Sequence, residues 1–135
     1  MEQQQLLISS KTENLVLVEK LINEVCQEHK IKEDFYGNIL IALTEAVNNA
    51  ILHGNKGNPG KNVSINYTSQ PDSITFTIKD EGDGFNYDTL PDPTAPENIE
   101  KPNGRGVFLM RNLADKVEFL DNGRVVSLNF KTLVN

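Results

Sequence analysis

The sequence has little that would support chemistry based on thiols, clustered histidines or a membrane span. It contains one cysteine, two histidines and no tryptophan among 135 residues. A single cysteine excludes a disulfide within the chain, and no cysteine and histidine cluster indicates a zinc site. No apolar run approaches the roughly 20 residues that a transmembrane helix needs. Cys26 lies in an apolar stretch, so we expect a small core residue rather than a nucleophile.

Positive charge is also scarce in this chain. Thirteen lysines and arginines stand against 19 aspartates and glutamates, which gives a net charge of -6. Nucleic acids and anionic membranes attract basic surfaces, so we expect neither as a direct partner, and a protein partner or a metal-chelated ligand fits better. The first ten residues lack the basic start of a signal peptide, which favours a cytoplasmic protein. The length predicts one domain over residues 1–135.

The spacing of apolar residues predicts two helices early in the chain and mostly strands after them. The predicted elements are a strand at residues 5–9, helices at 10–28 and 32–53, strands at 63–67 and 74–79, a helix opened by residues 104–106, and strands at 117–119 and 126–130. Hairpins outnumber parallel crossovers in this order. The pattern therefore predicts the α+β class, as a two-layer α/β sandwich with a mixed, mainly antiparallel sheet covered on one face by helices.

Three local signals predict where elements begin and end. Ser10 and Glu13 have the spacing of a capping box, which places the start of the first helix there. Gly54 follows the long helical pattern and predicts its C-terminal cap. Asn122 and Gly123 are typical of a two-residue type I′ turn, so we expect them to connect the last two strands.

The long helix carries polar residues at helical spacing. Glu45, Asn49 and His53 recur every four residues, so each lies about 40° around the helix from the one before it. Small apolar residues flank this stripe. Burying a carboxylate and a carboxamide among them is costly unless an outside group satisfies them, and a metal ion with a phosphate would do so. The alternative is that Glu45 and Asn49 face water on an ordinary amphipathic helix.

Asp80 continues the inward side of a predicted strand. Ile74, Phe76 and Ile78 alternate with polar residues, and the same alternation directs the Asp80 carboxylate toward the core side of the sheet. A buried acid there needs a hydrogen-bond donor, such as the exocyclic amino group of a ligand or an ordered water. The alternative is that Asp80 caps the following turn with its own side chain.

Two segments after Asp80 have the composition of a lid and of an anion-binding turn. Residues 86–103 hold four of the six prolines and no regular period, which is typical of a lid or of a disordered insertion. Gly104 and Gly106 precede a helix, where exposed backbone N–H groups and the helix dipole favour an anion. Arg105 between them offers a planar set of donors to phosphate. A glycine-rich segment that merely turns is the alternative, and neither the Walker nor the Rossmann pattern is present.

The order of these motifs resembles the ATP-binding core of the GHKL superfamily, which includes gyrase-type topoisomerases, histidine kinases and mismatch-repair ATPases. The motifs are EAVNNAILHG on the long helix, DEGDG after a strand, the proline-rich segment, and GRGVFLM opening a helix. The resemblance covers roughly residues 35–131 and implies the Bergerat fold. Within the superfamily the chain is most similar to the small bacterial anti-sigma-factor serine/threonine kinases, which also share a strand like KVEF.

This resemblance implies a role for each polar residue of the motifs. Asn49 would bind Mg²⁺ and Asp80 would accept a hydrogen bond from the adenine amino group. Glu45 would be the general base for an incoming serine hydroxyl. His53 would lie near the phosphates or cap the helix. The glycine boxes would complete the ATP site, with Gly82 and Gly84 beside the base and with Gly104, Arg105, Gly106 and Val107 around the phosphates.

The resemblance also implies a function. An anti-sigma kinase uses Mg-ATP to phosphorylate a serine of an anti-anti-sigma partner of the STAS type, sequesters a sigma factor and forms a homodimer. Two alternatives stay open. One is a nucleotide-gated protein-binding module without significant catalysis, although binding alone would not need Glu45. The other is an ATPase in which Glu45 activates water.

One position departs from the pattern of the superfamily. Many members carry Thr or Ser directly after the glycine of the last hairpin, where the hydroxyl supports the adenine-binding aspartate through water. Here Arg124 and Val125 follow Gly123. Ser127 is a possible substitute, but it is displaced by two or three positions. The adenine side of the site is therefore the part that the resemblance specifies least.

Overall fold

The computed structural model describes residues 3–82 and 102–132. These residues form a five-stranded sheet with helices packed on one face. The elements in chain order are β1 Gln3–Ser9, α1 Leu15–Glu28, α2 Glu33–Asn49, β2 Asn62–Gln70, β3 Ser73–Lys79, α3 Pro102–Leu113, β4 Lys116–Leu120 and β5 Val125–Lys131. This arrangement confirms the predicted α+β sandwich. Among the helices of the two described segments, none is both long and apolar enough to cross a membrane.

The strand order is β1-β2-β3-β5-β4, and every pair among these described strands is antiparallel. The sheet is therefore antiparallel where a mixed, mainly antiparallel sheet was predicted. The physical reason lies in the position of β5. It pairs with both β3 and β4, so these two strands run in the same direction without touching each other. A parallel ladder between them does not form.

The core lies between the inward face of the sheet and the apolar faces of the helices. The alternating residues of β2, β3 and β5 are buried, as their period of two predicts. The small residues that flank the polar stripe of α2 are buried as well. Cys26 is 8% exposed and packs in this core, as predicted, and burial raises the pKa of its thiol. It therefore stays protonated and unreactive at neutral pH.

The predicted capping box at Ser10 and Glu13 is wrong. A short 3₁₀ turn, Thr12–Asn14, precedes α1, and the helix begins at Leu15 without a side-chain cap. The Ser10 hydroxyl instead donates to the Lys61 carbonyl oxygen at 2.7 Å. Because this partner is 51 positions away, the local spacing of Ser10 and Glu13 carried no sign of it.

The predicted two-residue turn at Asn122 and Gly123 is also wrong. Leu120 pairs with Val125, so four residues connect the strands, and Asp121–Gly123 form a 3₁₀ turn. Asp121 and Gly123 have φ angles of 51° and 85°, which lie in the left-handed region. The longer turn places Arg124 directly before β5, where its carbonyl oxygen accepts the N–H of Asp80, the residue that follows β3.

Candidate functional site

The long helix changes its winding before it ends. The α-helical part of α2 stops at Asn49, and a π-helical turn, Ala50–Gly54, follows it. The Asn55 N–H donates to the Ala50 carbonyl at 2.8 Å, which is the i to i+5 bond of this wider turn. The prediction of one α-helix through His53 is therefore wrong for the last turn, which is π-helical. Glu45 and Asn49 keep their shared stripe, while the wider turn displaces His53 from it.

Two glycines meet the Asp80 carboxylate at the end of this turn. A β-carbon on Gly54 would lie 2.5 Å from the Asp80 Cγ, and one on Gly82 would lie 2.5 Å from the Gly54 carbonyl carbon. Neither position has room for a larger residue. Gly54 is not among the glycines with positive φ. The turn includes Gly54 and is capped by Asn55, so the predicted C-terminal cap at Gly54 is wrong, and close packing against Asp80 explains the glycine instead.

Asp80 follows β3 and is 5% exposed, which confirms the inward direction predicted from the strand's alternation. Its Oδ1 accepts a hydrogen bond from the Gly82 N–H at 2.8 Å. Burial raises the pKa of the Asp80 carboxyl, while the Gly82 N–H and the charges of Arg124 and Lys61 lower it; the charge of Asp121 raises it. The carboxylate therefore both caps its own turn and faces a cleft, so the two readings of the sequence are compatible.

The cleft opens between α2, α3 and the adjoining strand ends. The empty volume of the cleft, including the open solvent at its entrance, is about 530 Å³. Both polar and apolar residues line it. Its lining residues are Ala46, Asn49, Ala50, His53, Gly54, Ile78, Asp80, Met110, Phe119, Gly123, Arg124 and Val126.

The structure brings several of the predicted site residues to this cleft. Asn49, the exposed His53 and the buried Asp80 line it, and Gly82 packs onto Gly54 at the same corner. Glu45 is half-buried one helical turn before Asn49 and is not itself among the residues that form the described cleft.

The second glycine box lies inside α3 rather than before it. Gly104, Arg105, Gly106 and Val107 belong to the first turns of this helix, which begins at Pro102. Proline at the first helical position explains the earlier start, because its missing N–H is not needed there. Met110 of the same helix lines the cleft, and the start of α3 at Pro102 is about 12 Å from it along the helix axis.

Part of the predicted site lies outside the described residues. Gly84 and residues 86–101 of the predicted lid at 86–103 lie outside them. The last two lid residues, Pro102 and Asn103, belong to α3.

Asn55 is a buried residue of the site that the sequence did not indicate. It is 1% exposed. Its Nδ2 donates to the Ser10 hydroxyl at 2.8 Å and to the Asn62 carbonyl at 3.0 Å, and its Oδ1 accepts the Glu81 N–H at 2.7 Å. It thus ties the loop after α2 to the turn after Asp80. No local pattern reveals such a role, because its partners are distant along the chain.

Arg124 is the second residue whose role was missed. Its Nε donates to the Gly82 carbonyl oxygen at 2.7 Å, and its own carbonyl oxygen accepts the Asp80 N–H at 2.9 Å. Ser127, the possible substitute, pairs with Thr77 and Glu118 on the opposite side of the sheet, so it does not reach Asp80. The position that departs from the superfamily pattern is therefore occupied by a residue that contacts the Asp80 turn directly.

Comparison with protein families shows where this geometry belongs. Residues 8–130 match the model of the histidine kinase-like ATPase domain. The chain belongs to the histidine kinase-like ATPase family. This match confirms the GHKL-type resemblance drawn from the order of the motifs. Membership in this ATPase family implies that the protein uses ATP.

Relatives within the ATPase family include proteins that regulate sigma factors. An anti-sigma F factor from Bacillus cytotoxicus is 41% identical over 88 residues, which cover 62% of this chain and 59% of that protein. The chain therefore spans about three fifths of the length of this relative. A serine-protein kinase RsbW from Bacillus mycoides is 27% identical over 126 residues, which cover 88% of this chain and 78% of the relative.

A solved structure shares the fold of this family member. The RsbU and RsbW domains of a Mycobacterium tuberculosis protein match it with a TM-score of 0.66 and 13% identity. The match covers 97% of this chain and 32% of the other. At this identity, the likeness shows the fold alone.

The residues at the cleft fit a nucleotide better than a metal ion held by the protein alone. Within residues 3–82 and 102–132, no group of three or more His, Cys, Asp or Glu side chains could hold a metal ion. A cation there would need oxygens from its ligand, as Mg²⁺ commonly takes from phosphates. The close contact of Gly54, Gly82 and Asp80 leaves a tight corner of the cleft, where the Asp80 carboxylate can accept a hydrogen bond from a ligand.

Replacing Asp80 by asparagine is expected to change stability in a pH-dependent way. The pKa of the native carboxyl is raised above its ordinary value of 3.8, so the native state holds this proton more tightly than the unfolded state does. The resulting stability is present below that value and is lost as the pH rises through the raised pKa. Asp80→Asn should therefore gain in free energy of unfolding relative to wild type as the pH increases. Urea unfolding at several pH values measures this difference, and a constant difference would contradict it.

Proposed function

We propose that this protein is an ATP-dependent protein serine/threonine kinase that acts as an anti-sigma factor. It phosphorylates a serine of an anti-anti-sigma partner of the STAS type and sequesters a sigma factor. The proposal includes a single kinase domain over residues 1–135 with a lid at about 86–103, a homodimer and a cytoplasmic location. The observation that carries it is the buried Asp80, held against two glycines in a cleft that Asn49 also lines. The names of the relatives support the same function.

The inner part of the cleft suits adenine. Ile78, Met110 and Val126 are buried apolar residues that line it and offer a surface to the faces of a purine. Asp80 accepts the hydrogen bond of the 6-amino group, since a carboxylate that already accepts the Gly82 N–H keeps free acceptor sites. Gly82 lets the chain pass close to the base, and we assign Gly84 the same role.

The outer part of the cleft holds the phosphates. Asn49 would supply a side-chain oxygen to Mg²⁺, and the bound ion would neutralise phosphate charge. Gly104 lies in the first turn of α3, where backbone N–H groups lack partners within the helix and favour an anion. Gly106 and Val107 lie in the second turn, and we assign them to the phosphates from the resemblance of their motif. Arg105 adds a side-chain donor set to the phosphates. His53 is exposed and lines the cleft, and we assign its ring either to the phosphates or to the end of the helix.

Glu45 carries the chemical step on the protein side. Its carboxylate takes the proton of the partner's serine hydroxyl as the serine oxygen forms a bond to the γ-phosphorus. The bond from that phosphorus to the bridging oxygen breaks at the same time, and ADP leaves. Glu45 lies one turn before Asn49 on the same helix, which supports its assignment as the base near the phosphate end of the nucleotide.

One observation favours a second function. Glu45 does not line the cleft that the described residues form, which is compatible with a nucleotide-gated binding module that captures a partner without significant catalysis. An ATPase that transfers the phosphoryl group to water is the remaining alternative. The three functions differ in where the γ-phosphate goes.

Labelled phosphate distinguishes these functions. The protein is incubated with ATP labelled at the γ-phosphate and with a purified STAS-type anti-anti-sigma protein from the same organism. A kinase labels the partner, and replacing the acceptor serine of the partner by alanine removes the label. An ATPase releases free phosphate and leaves the partner unlabelled. A binding module does neither, but it retains the partner on a column only when nucleotide is present.

Replacing Asn49 by alanine is expected to weaken Mg-ATP binding by about a hundredfold or more, because Asn49 is the one side chain assigned to the metal. Isothermal titration with ATP in the presence and absence of Mg²⁺ measures the effect. Asn48→Ala is the matched control, since Asn48 is the same residue type, is half-buried and points about 100° away on the same helix. Equal losses in both variants would contradict the assignment.

A further inference from the structure

Arg124 contacts the turn that carries Asp80 at both of its ends. At the first residue, the Arg124 carbonyl oxygen accepts the Asp80 N–H at 2.9 Å. At the third residue, the Arg124 Nε donates to the Gly82 carbonyl oxygen at 2.7 Å. The arginine side chain is 31% exposed and also lines the cleft. One residue of the last hairpin therefore fixes both ends of a three-residue turn from another strand.

The contact with Gly82 continues to the carboxylate. The Gly82 N–H donates to the Asp80 Oδ1 at 2.8 Å, while the Gly82 carbonyl accepts from Arg124. Both polar groups of Gly82 are thus engaged, one with the acid and one with the guanidinium. A shift of the Arg124 side chain moves the Gly82 peptide, and with it the donor that orients the Asp80 carboxylate.

The positive charge of Arg124, like its hydrogen bond to Gly82, acts on the Asp80 carboxylate. Five influences from the surroundings act on the pKa of Asp80: burial and the charge of Asp121 raise it, and the Gly82 N–H and the charges of Arg124 and Lys61 lower it. Arg124 has the larger effect of the two cations. It therefore favours the ionised form, which is the form that accepts hydrogen bonds without donating one.

We propose that Arg124 is a positioning residue that sets the selectivity of the cleft for a 6-aminopurine. It does so by holding the Gly82 peptide, which in turn orients the Asp80 carboxylate toward the amino group of the base. This inference rests on the proposed function, because it concerns the recognition of ATP. It assigns base selectivity in this chain to a guanidinium on the last hairpin.

A comparison of two nucleotides distinguishes an effect of Arg124 on base selectivity from a general effect on nucleotide binding. ATP carries the 6-amino group, and purine riboside triphosphate lacks it but is otherwise the same. We expect wild type to bind ATP at least tenfold more tightly, since one hydrogen bond to a charged acceptor contributes about that much. Arg124→Gln should weaken ATP binding by about tenfold and change the affinity for purine riboside triphosphate by less than about twofold.

A double-mutant cycle gives an independent readout. If Arg124 acts through Asp80, then Arg124→Gln should have little further effect on ATP affinity once Asp80→Ala is present. The pH dependence gives another. Loss of the arginine charge raises the pKa of Asp80, so ATP affinity should fall at a higher pH in Arg124→Gln than in wild type as the solution is acidified.

Lys79→Gln is the matched control. It also removes one positive charge next to Asp80 in the sequence, but Lys79 is exposed and the alternation of β3 directs it to the other face. It should leave the selectivity unchanged. Should Arg124→Gln fail to fold, Arg124→Lys keeps the charge without the Nε donor and should still lower the preference for ATP.

The outcomes separate this inference from the proposed function. Wild type that binds no ATP overturns the proposed function, and this inference with it. Wild type that prefers ATP through Asp80 but keeps that preference in Arg124→Gln overturns this inference alone. Equal losses for both nucleotides in Arg124→Gln also overturn it, because they would show a merely structural effect.

Discussion

Replacing Glu45 by glutamine is expected to lower phosphorylation of the partner by about 10²- to 10⁴-fold, which is the usual contribution of a positioned general base. Glutamine has nearly the same shape but cannot take the serine proton. ATP affinity should change by less than about twofold, because Glu45 lies outside the residues that form the described cleft. Single-turnover transfer of labelled phosphate measures the rate, and isothermal titration measures the affinity.

The same substitution elsewhere on the helix provides the control for Glu45. Glu33 is an exposed residue in the first turn of α2, three turns before Glu45. Glu33→Gln should therefore transfer phosphate at the wild-type rate. Transfer by Glu45→Gln at that same rate would show that another group accepts the proton or that none is needed.

Replacing Gly82 by alanine is expected to cost about 1–3 kcal/mol of folding free energy or more and to lower ATP affinity at least tenfold. The added β-carbon would overlap the carbonyl group of Gly54, a backbone group that has no alternative rotamer. Gly54 and Gly82 would have to separate, and the Asp80 carboxylate between them would lose its place. Urea unfolding and isothermal titration measure the two effects.

Gly37→Ala is the matched control for this substitution. Gly37 lies in α2, and a β-carbon there would meet nothing within 4 Å. Alanine should stabilise this helix by about 0.5–1 kcal/mol and leave ATP binding unchanged, because glycine is a poor helix former. If Gly82→Ala were as well tolerated as Gly37→Ala, the tight corner would not exist in solution.

The parts of the site that follow from periodicity could be predicted from the sequence. The alternation of Ile74, Phe76 and Ile78 requires Asp80 to point inward, and the spacing of Glu45 and Asn49 requires them to share one side of a helix. These relations depend only on backbone geometry. The order of the motifs then indicated the family, because each motif is weak alone and the order is not.

Features that depend on distant partners could not be predicted. The π-helical turn Ala50–Gly54 has no periodic signature, since it is a single turn and its residues also suit an α-helix. Asn55 reads as an ordinary loop residue, although it bonds to groups near Ser10 and Glu81. In the sequence, Arg124 indicated only that the hydroxyl residue of the superfamily pattern is missing, and its hydrogen bond to Gly82 became apparent from the fold.

The central position of β5 has a consequence for how the chain acquires its ligand. During synthesis β3 emerges well before β5, so until β5 arrives β3 has one free edge and β4 has no partner among the described strands. The Asp80 N–H also lacks its acceptor until Arg124 is made. A nascent chain that ends near Leu120 therefore lacks both the strand and the acceptor that position the Asp80 turn, so we expect the cleft to form only after β5 has been made.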